Sequence, residues 1–122
     1  MRIAIIGGRQ KNSIQLERLA REAGHEIELR DGDLHGTGVQ EIRTTMMRAD
    51  IAVILTNPNS HGAVYVAKTV AKQIGTPTLI VDRLGAARFR ALLDAVGRRQ
   101  ELGWPWGIDK AFDVPGLRAM AS

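Results

Sequence analysis

The side chains best equipped for chemistry in this sequence gather around one histidine. Ser60 and His61 open a helical stretch, and Tyr65, Lys68 and Lys72 follow the histidine at +4, +7 and +11. With about 3.6 residues per turn these four share one helical face, about 200° round from Ala63, the first residue of an alanine-rich apolar stripe. Ser60 as N-cap would leave the first amides of the helix pointing outward, which makes an anion site. The macrodipole there opposes a second positive charge, so the imidazole is available to take a metal or accept a proton. A plain solvent-facing helix side would carry the same residue types, and Lys72 reads that way.

Other polar residues sit at comparable turns: Gly7-Gly8-Arg9, Asp31-Gly32-Asp33, Asn57-Pro58-Asn59 and Asp82-Arg83. Gly7-Gly8 lets a backbone approach a ligand closely or turn tightly into a helix. The run from Gly7 to Asn12 satisfies neither the G-x-G-x-x-G fingerprint nor the G-K-[ST] ending of a P-loop. Asp31 falls 24 residues after Gly7, about where a dinucleotide fold keeps its ribose-binding acid, although Asp-Gly also makes an ordinary turn. Ser60 and His61 are neighbours and cannot face each other as nucleophile and base, which removes a Ser-His-Asp hydrolase. His25 and His35 flank the next apolar run, so each histidine lies in a different segment and a closed three-histidine metal site is disfavoured. A phosphoacceptor domain would need acids where this chain has Gly7-Gly8 and Thr56-Asn57. An axial histidine to haem, or a single metal ion on His61, remains open.

The elements that must position these residues follow from periodicity. Apolar runs at Arg2–Ile6, Glu26–Arg30, Asp50–Thr56 and Thr76–Val81 alternate with amphipathic stretches, the signature of β-α-β units and a parallel sheet. Asp50–Thr56 is apolar almost throughout and belongs at the centre, whereas Glu26–Arg30 alternates and belongs at an edge. Leu16, Leu19, Ala20 and Ala23 mark the first helix, started by Asn12 with Gln15 and closed by Gly24. Thr37 with Gln40 starts the second, whose stripe is Val39, Ile42, Met46 and Ala49. Ser60 caps the third, with Ala63, Ala67, Val70, Ala71 and Ile74 buried, and Phe89, Leu92, Leu93 and Val96 mark the fourth. Right-handed crossovers give a doubly wound α/β fold, a four-stranded parallel sheet in order 2-1-3-4 with helices on both faces, Rossmann-like or flavodoxin-like. All four polar turns then meet at one rim, beyond the carboxyl ends of the strands. The domain spans 1–99. Residues 100–122, rich in Gly and Pro yet carrying Trp104, Trp106, Phe112, Val114 and Leu117, read as an irregular arm folded over its own sheet or donated to a neighbouring subunit. A four-stranded sheet has two open edges and little covering mass, and both favour a homo-oligomer.

Composition prunes the function classes. A chain of 122 residues, 44% hydrophobic and without cysteine, forms one domain and excludes thiol nucleophiles, disulfide scaffolds and thiolate metal sites. No apolar run approaches the ~20 residues of a membrane span, and a cytoplasmic location is expected. The net charge is +4. Its cations are scattered, and only Arg83, Arg88, Arg90, Arg98 and Arg99 bunch, with Asp82 and Asp94 among them. Aromatic residues make up 4% of the chain, which leaves no stacking platform for single-stranded bases, so the pattern argues against nucleic acid as a partner.

The set Ile6-Gly7-Gly8-Arg9, Asp31-Gly32, an apolar third strand leading into Ser60-His61, and Lys68 seven residues after the histidine resembles a bacterial family catalogued as domain of unknown function 2325. The similarity runs from about Arg2 to Val96. It implies a small cytoplasmic Rossmann-like domain with Gly7, Gly8, Asp31, Gly32, Ser60, His61 and Lys68 as its pattern positions, and no reaction. This chain has Arg30 where family members often place a histidine, and Gly62 where they often place Asn.

The residues together point to a ligand- or cofactor-binding domain for a small anionic molecule. Gly7, Gly8 and the amides after Ser60 would receive the anion, Arg9 and Lys68 would offset its charge, Asp31 would border it, and His61 would touch its reactive or metallic part. Haem fits such a set, with propionates for the anion site and iron for the imidazole. One alternative is an enzyme acting on a phosphorylated or nucleotide substrate, with His61 as general base and Asp31 or Asp82 holding Mg²⁺. Another is a nucleic-acid-binding regulator acting through the arginine-rich fourth helix.

Overall fold

The computed structural model describes residues 1–8, 13–57, 59–101 and 117–119. The alternation of apolar runs and amphipathic stretches is realised as β1 (Arg2–Ile6), α1 (Ser13–Glu22), β2 (Glu26–Arg30), α2 (Gly38–Met47), β3 (Ile51–Leu55), α3 (His61–Ile74), β4 (Thr78–Val81) and α4 (Ala86–Glu101). The parallel strands stand in the expected order β2-β1-β3-β4. This four-stranded parallel sheet is extended by one further strand. A short β5 (Leu117–Ala119) pairs antiparallel with β4, placing Leu117 beside Val81 and Ala119 beside Leu79. Three residues after Pro115-Gly116 are too few to show a two-residue alternation, which is why this part of the arm read as irregular. The rest of the arm, including Trp104, Trp106 and Phe112, lies outside the described residues, as do Arg9 and Asn12.

Buried along its whole length, β3 stands at the centre, while β2 is half-buried at the edge. Two cores result, one on each face. Ile3, Ile5, Val53 and Leu79 meet Leu16 and Leu19 of α1 and Phe89, Leu92 and Val96 of α4. Ala4, Ile6, Ala52 and Ile54 meet Ile42 and Met46 of α2 and Ala67, Val70 and Ala71 of α3. Residues of opposite parity along each strand therefore feed opposite cores.

Two local expectations fail at α2. Val39 is 41% exposed, and Thr37 makes no capping bond to the helix but donates from Oγ1 to Glu41 Oε1 at 3.1 Å. The reason is Gly38, where a Cβ would lie 2.1 Å from the Asp33 carbonyl oxygen. The helix docks through that bare glycine, and its buried face becomes Gly38, Ile42, Thr45 and Met46. Arg48, just past α2, donates to both oxygens of Glu28 on β2, at 2.7 and 2.6 Å. Burial pushes the Glu28 carboxyl up, but bonds from Arg48 and Thr45 and the charges of Arg48 and Arg30 more than reverse that and hold it below the usual range.

His25, placed by the sequence merely at the flank of β2, is 5% exposed. Burial, aided by the Met1 amino group, pushes its imidazole below the ordinary value of 6.5. The unfolded chain therefore binds this proton more tightly than the folded one. Its contribution to stability is complete above pH 6.5 and is lost as pH falls from there through the lower folded value. Urea midpoints measured from pH 8 to pH 5 are expected to decline below that point, and His25→Asn should flatten the decline. A variant with the unchanged slope would show that another group carries it.

Candidate functional site

In an open parallel sheet the crevice for ligands opens where neighbouring strands send their chains to opposite faces. Here β1 leads into α1 on one face and β3 into α3 on the other. Between these exits, Gly7 and Gly8 hold φ of +100° and +87°, values that L side chains rarely adopt. The Gly7 amide donates to the Arg30 carbonyl at 2.7 Å, joining the exit of β1 to that of β2. Asn59 locks the junction. Its Nδ2 donates to the Leu55 carbonyl at 2.8 Å and its Oδ1 accepts from the Ser60 amide at 2.9 Å. A Cβ on Gly7 would lie 2.5 Å from Asn59 Nδ2, and one on Gly32 would lie 2.0 Å from Asn59 Oδ1. The Asn59 amide thus occupies the space that two glycines from separate loops leave free.

At the start of α3, Ser60 has φ −83° and ψ 150°, and its Oγ accepts from the Ala63 amide at 3.0 Å. Its carbonyl accepts from Val64 and its own amide is taken by Asn59. The amides of His61 and Gly62 find no acceptor among the described residues, which leaves two donors at the positive end of a 14-residue helix. His61 is exposed and makes no hydrogen bond among the described residues, so it is not a satisfied core histidine. On the same face Tyr65 is 71% exposed, Lys72 is exposed, and Lys68 is half-buried without a carboxylate partner among the described residues.

The loop after β2 closes on this helix start. Asp31 Oδ1 accepts from the Asp33 amide at 3.1 Å, and Leu34 packs where a side chain on Gly62 would be, with Cδ1 3.1 Å from the ideal Cβ position. Asp33 accepts from the His35 amide at 2.9 Å and from the His35 ring at 2.7 Å, and these bonds hold its carboxyl below the usual range. Gly62, where the resemblance expects Asn, therefore leaves the space that Leu34 fills.

Across the junction, on the α1 and α4 side, lies a cleft of about 280 Å³. Leu16, Leu29, Leu55 and Leu84 give it an apolar wall, and Gly8, Asn57 and Arg83 are its polar members. The structure thus divides the predicted set. Gly7 and Gly8 border the cleft, whereas Ser60, His61 and Lys68 lie along α3 and Asp31 in the loop packed against its start. Arg9 lies outside the described residues. The sequence shows Asn59 only as part of a polar turn and not as the lock, since its partners Gly7 and Gly32 come from other loops. Among the described residues no group of three His, Asp or Glu side chains converges as a metal site, and no helix is long and apolar enough to cross a membrane.

Comparison with known proteins identifies a family. The model of a family described as "Uncharacterized protein conserved in bacteria (DUF2325)" matches residues 2–96. A UPF0751 protein of Bacillus anthracis is 30% identical over 83 residues, covering 68% of this chain and 82% of the relative. A UPF0751 protein of Bacillus cereus is 29% identical over the same shares. No solved structure matches the chain significantly. The matched span runs from β1 through most of α4 and holds the exits of β1, β2, β3 and β4 and the start of α3, so the chain belongs to the DUF2325 family.

Proposed function

We propose that this chain is a binding domain for a small anionic molecule, held at the rim where β1 and β3 diverge. What carries the reading is that a partly apolar cleft and two helix-start amides with no acceptor among the described residues border the same junction, one on each side of it. The leucine wall accepts an apolar body, with Asn57 and Arg83 as polar contacts. The amides of His61 and Gly62 receive negative charge, and Lys68 offsets it. His61 is the one group here suited to a metallic centre, and haem is the cofactor of this class that would use imidazole and anion site together.

The full chain, as purified, is examined for a Soret band and for excess absorbance at 260 nm. Thermal melts follow with haem, phosphate, a nucleoside monophosphate and a dinucleotide. A ligand present at 100 times its Kd stabilises by about 2.7 kcal/mol, which raises Tm by several degrees. At least one probe is expected to do so, with the shift reduced in His61→Ala and in Arg83→Ala. Melts that no probe moves, in a protein carrying no chromophore, would sink the reading. So would a shift that both variants retain in full.

A further inference from the structure

We propose that a cleft of about 440 Å³ between α1 and α4, at the end of the sheet opposite the rim, is a second ligand site, for a small amphipathic carboxylic acid bearing one hydrogen-bonding group. The cleft lies where α1 ends, β2 begins and α4 runs through its last turns. Leu19, Ala23 and Leu93 supply its apolar lining. Gly97 adds no side chain to the lining, and the space beside it is open, with nothing within 4 Å of its ideal Cβ position.

Its polar groups narrow the ligand. Glu22 pairs with Arg18 at 3.9 Å and Asp94 pairs with Arg98, which leaves Arg90 without a carboxylate among the described residues. A guanidinium so placed takes a carboxylate, in bidentate fashion where the approach allows. His25 lines the same cleft, is 5% exposed, and its Nδ1 has no hydrogen-bond partner among the described residues. Buried polar atoms are rarely left so, and an unexplained one marks a place where a partner belongs. Burial, with the Met1 amino group, holds this imidazole below its usual range. In the tautomer that carries its proton on Nε2, the neutral ring leaves Nδ1 as an acceptor for an N–H or O–H of the ligand. A carboxylate for Arg90, one donor for His25 and an apolar body for the leucines describe an arylacetic or indolylacetic acid. None of these groups belongs to the rim, so the site stands or falls independently of it.

Amide NMR spectra of the full chain, titrated with indole-3-acetate, indole-3-acetamide and 1-methylindole-3-acetate, test the assignment. Indole-3-acetate is expected to give saturable shifts centred on Leu19, His25, Arg90 and Leu93. Removing the charge, or the indole N–H, should each weaken binding about tenfold or more. Arg90→Ala, at an exposed position that leaves the fold intact, should reduce indole-3-acetate to the level of the acetamide. His25→Phe should erase the preference over the N-methyl compound. Equal binding of acid and amide, indifference to Arg90→Ala, shifts gathered instead at Gly8, Asn57 and Arg83, or no saturable shift with any of the three would overturn the proposal.

Discussion

Replacing Gly7 with alanine is expected to lower the stability of the fold by roughly 2–4 kcal/mol and to disorder the rim with it. Two separate effects add. At φ +100° any Cβ carries backbone strain on the order of 1–2 kcal/mol. The new Cβ would also lie 2.5 Å from Asn59 Nδ2 and 3.2 Å from the Leu55 carbonyl oxygen, so Asn59 must leave. Its bonds to Leu55 and Ser60 go with it, each worth about 1 kcal/mol. Gly24 separates the two effects, because its φ of +83° carries similar strain while nothing lies within 4 Å of its ideal Cβ. Gly24→Ala should therefore cost only the strain, about 1 kcal/mol. Urea midpoints of both variants, at constant m-value, give the comparison. Asn59→Ala in the Gly7→Ala background should cost little more, since the bonds of that amide are already lost. A double variant whose losses simply add would show that Gly7 and Asn59 do not share the space.

That junction also marks where the sequence stopped being legible. Strand order follows from the unbroken apolar run seen as β3, the alternation of β2 and the right-handed crossovers between them. The Ser60 cap was equally readable because it is local, a hydroxyl three residues before the amide it accepts from. Asn59 was not, because its value lies in glycines contributed by two other loops, and a single sequence does not show which loops meet. Val39 failed for a related reason. The helical period was correct, but its phase was set by the approach of Gly38 to the Asp33 carbonyl, a contact outside the helix. His25 is the mirror case, a polar residue before an edge strand whose burial depends on α1 and α4 closing over it. The sequence sends the chemistry-bearing residues to one rim, whereas the cleft there involves Asn57 and Arg83, and His61 and Lys68 lie along α3. Face assignment depends on the crossover hand, and side-chain convergence depends on loop packing, which periodicity does not encode.

The division into two cores makes Phe89→Ala the most damaging single change expected in this chain. Phe89 is fully buried, and removing its ring from the core between α1, α4 and the sheet costs about 3–5 kcal/mol. A domain of this kind has a net stability of about 5–15 kcal/mol, so the variant should sit close to unfolding at 37 °C. Phe89→Leu fills most of the space and should lose only about 1–2 kcal/mol. The ring also lies in the same core as Leu84, which walls the cleft at the rim together with Arg83. Met46→Ala offers the opposite-face control, a fully buried side chain beneath α2 whose loss costs about 2–5 kcal/mol. Because the sheet separates the cores, each variant should loosen its own face first. Amide hydrogen exchange in Phe89→Ala is expected to rise in α1 and α4 before α2 and α3, with the reverse in Met46→Ala. A ligand held by the cleft should lose affinity in Phe89→Leu and keep it in Met46→Leu, although both remain folded. Uniform exchange in both alanine variants would mean that the faces open together, and the rim would then depend on the whole sheet and not on the α1–α4 core beneath it.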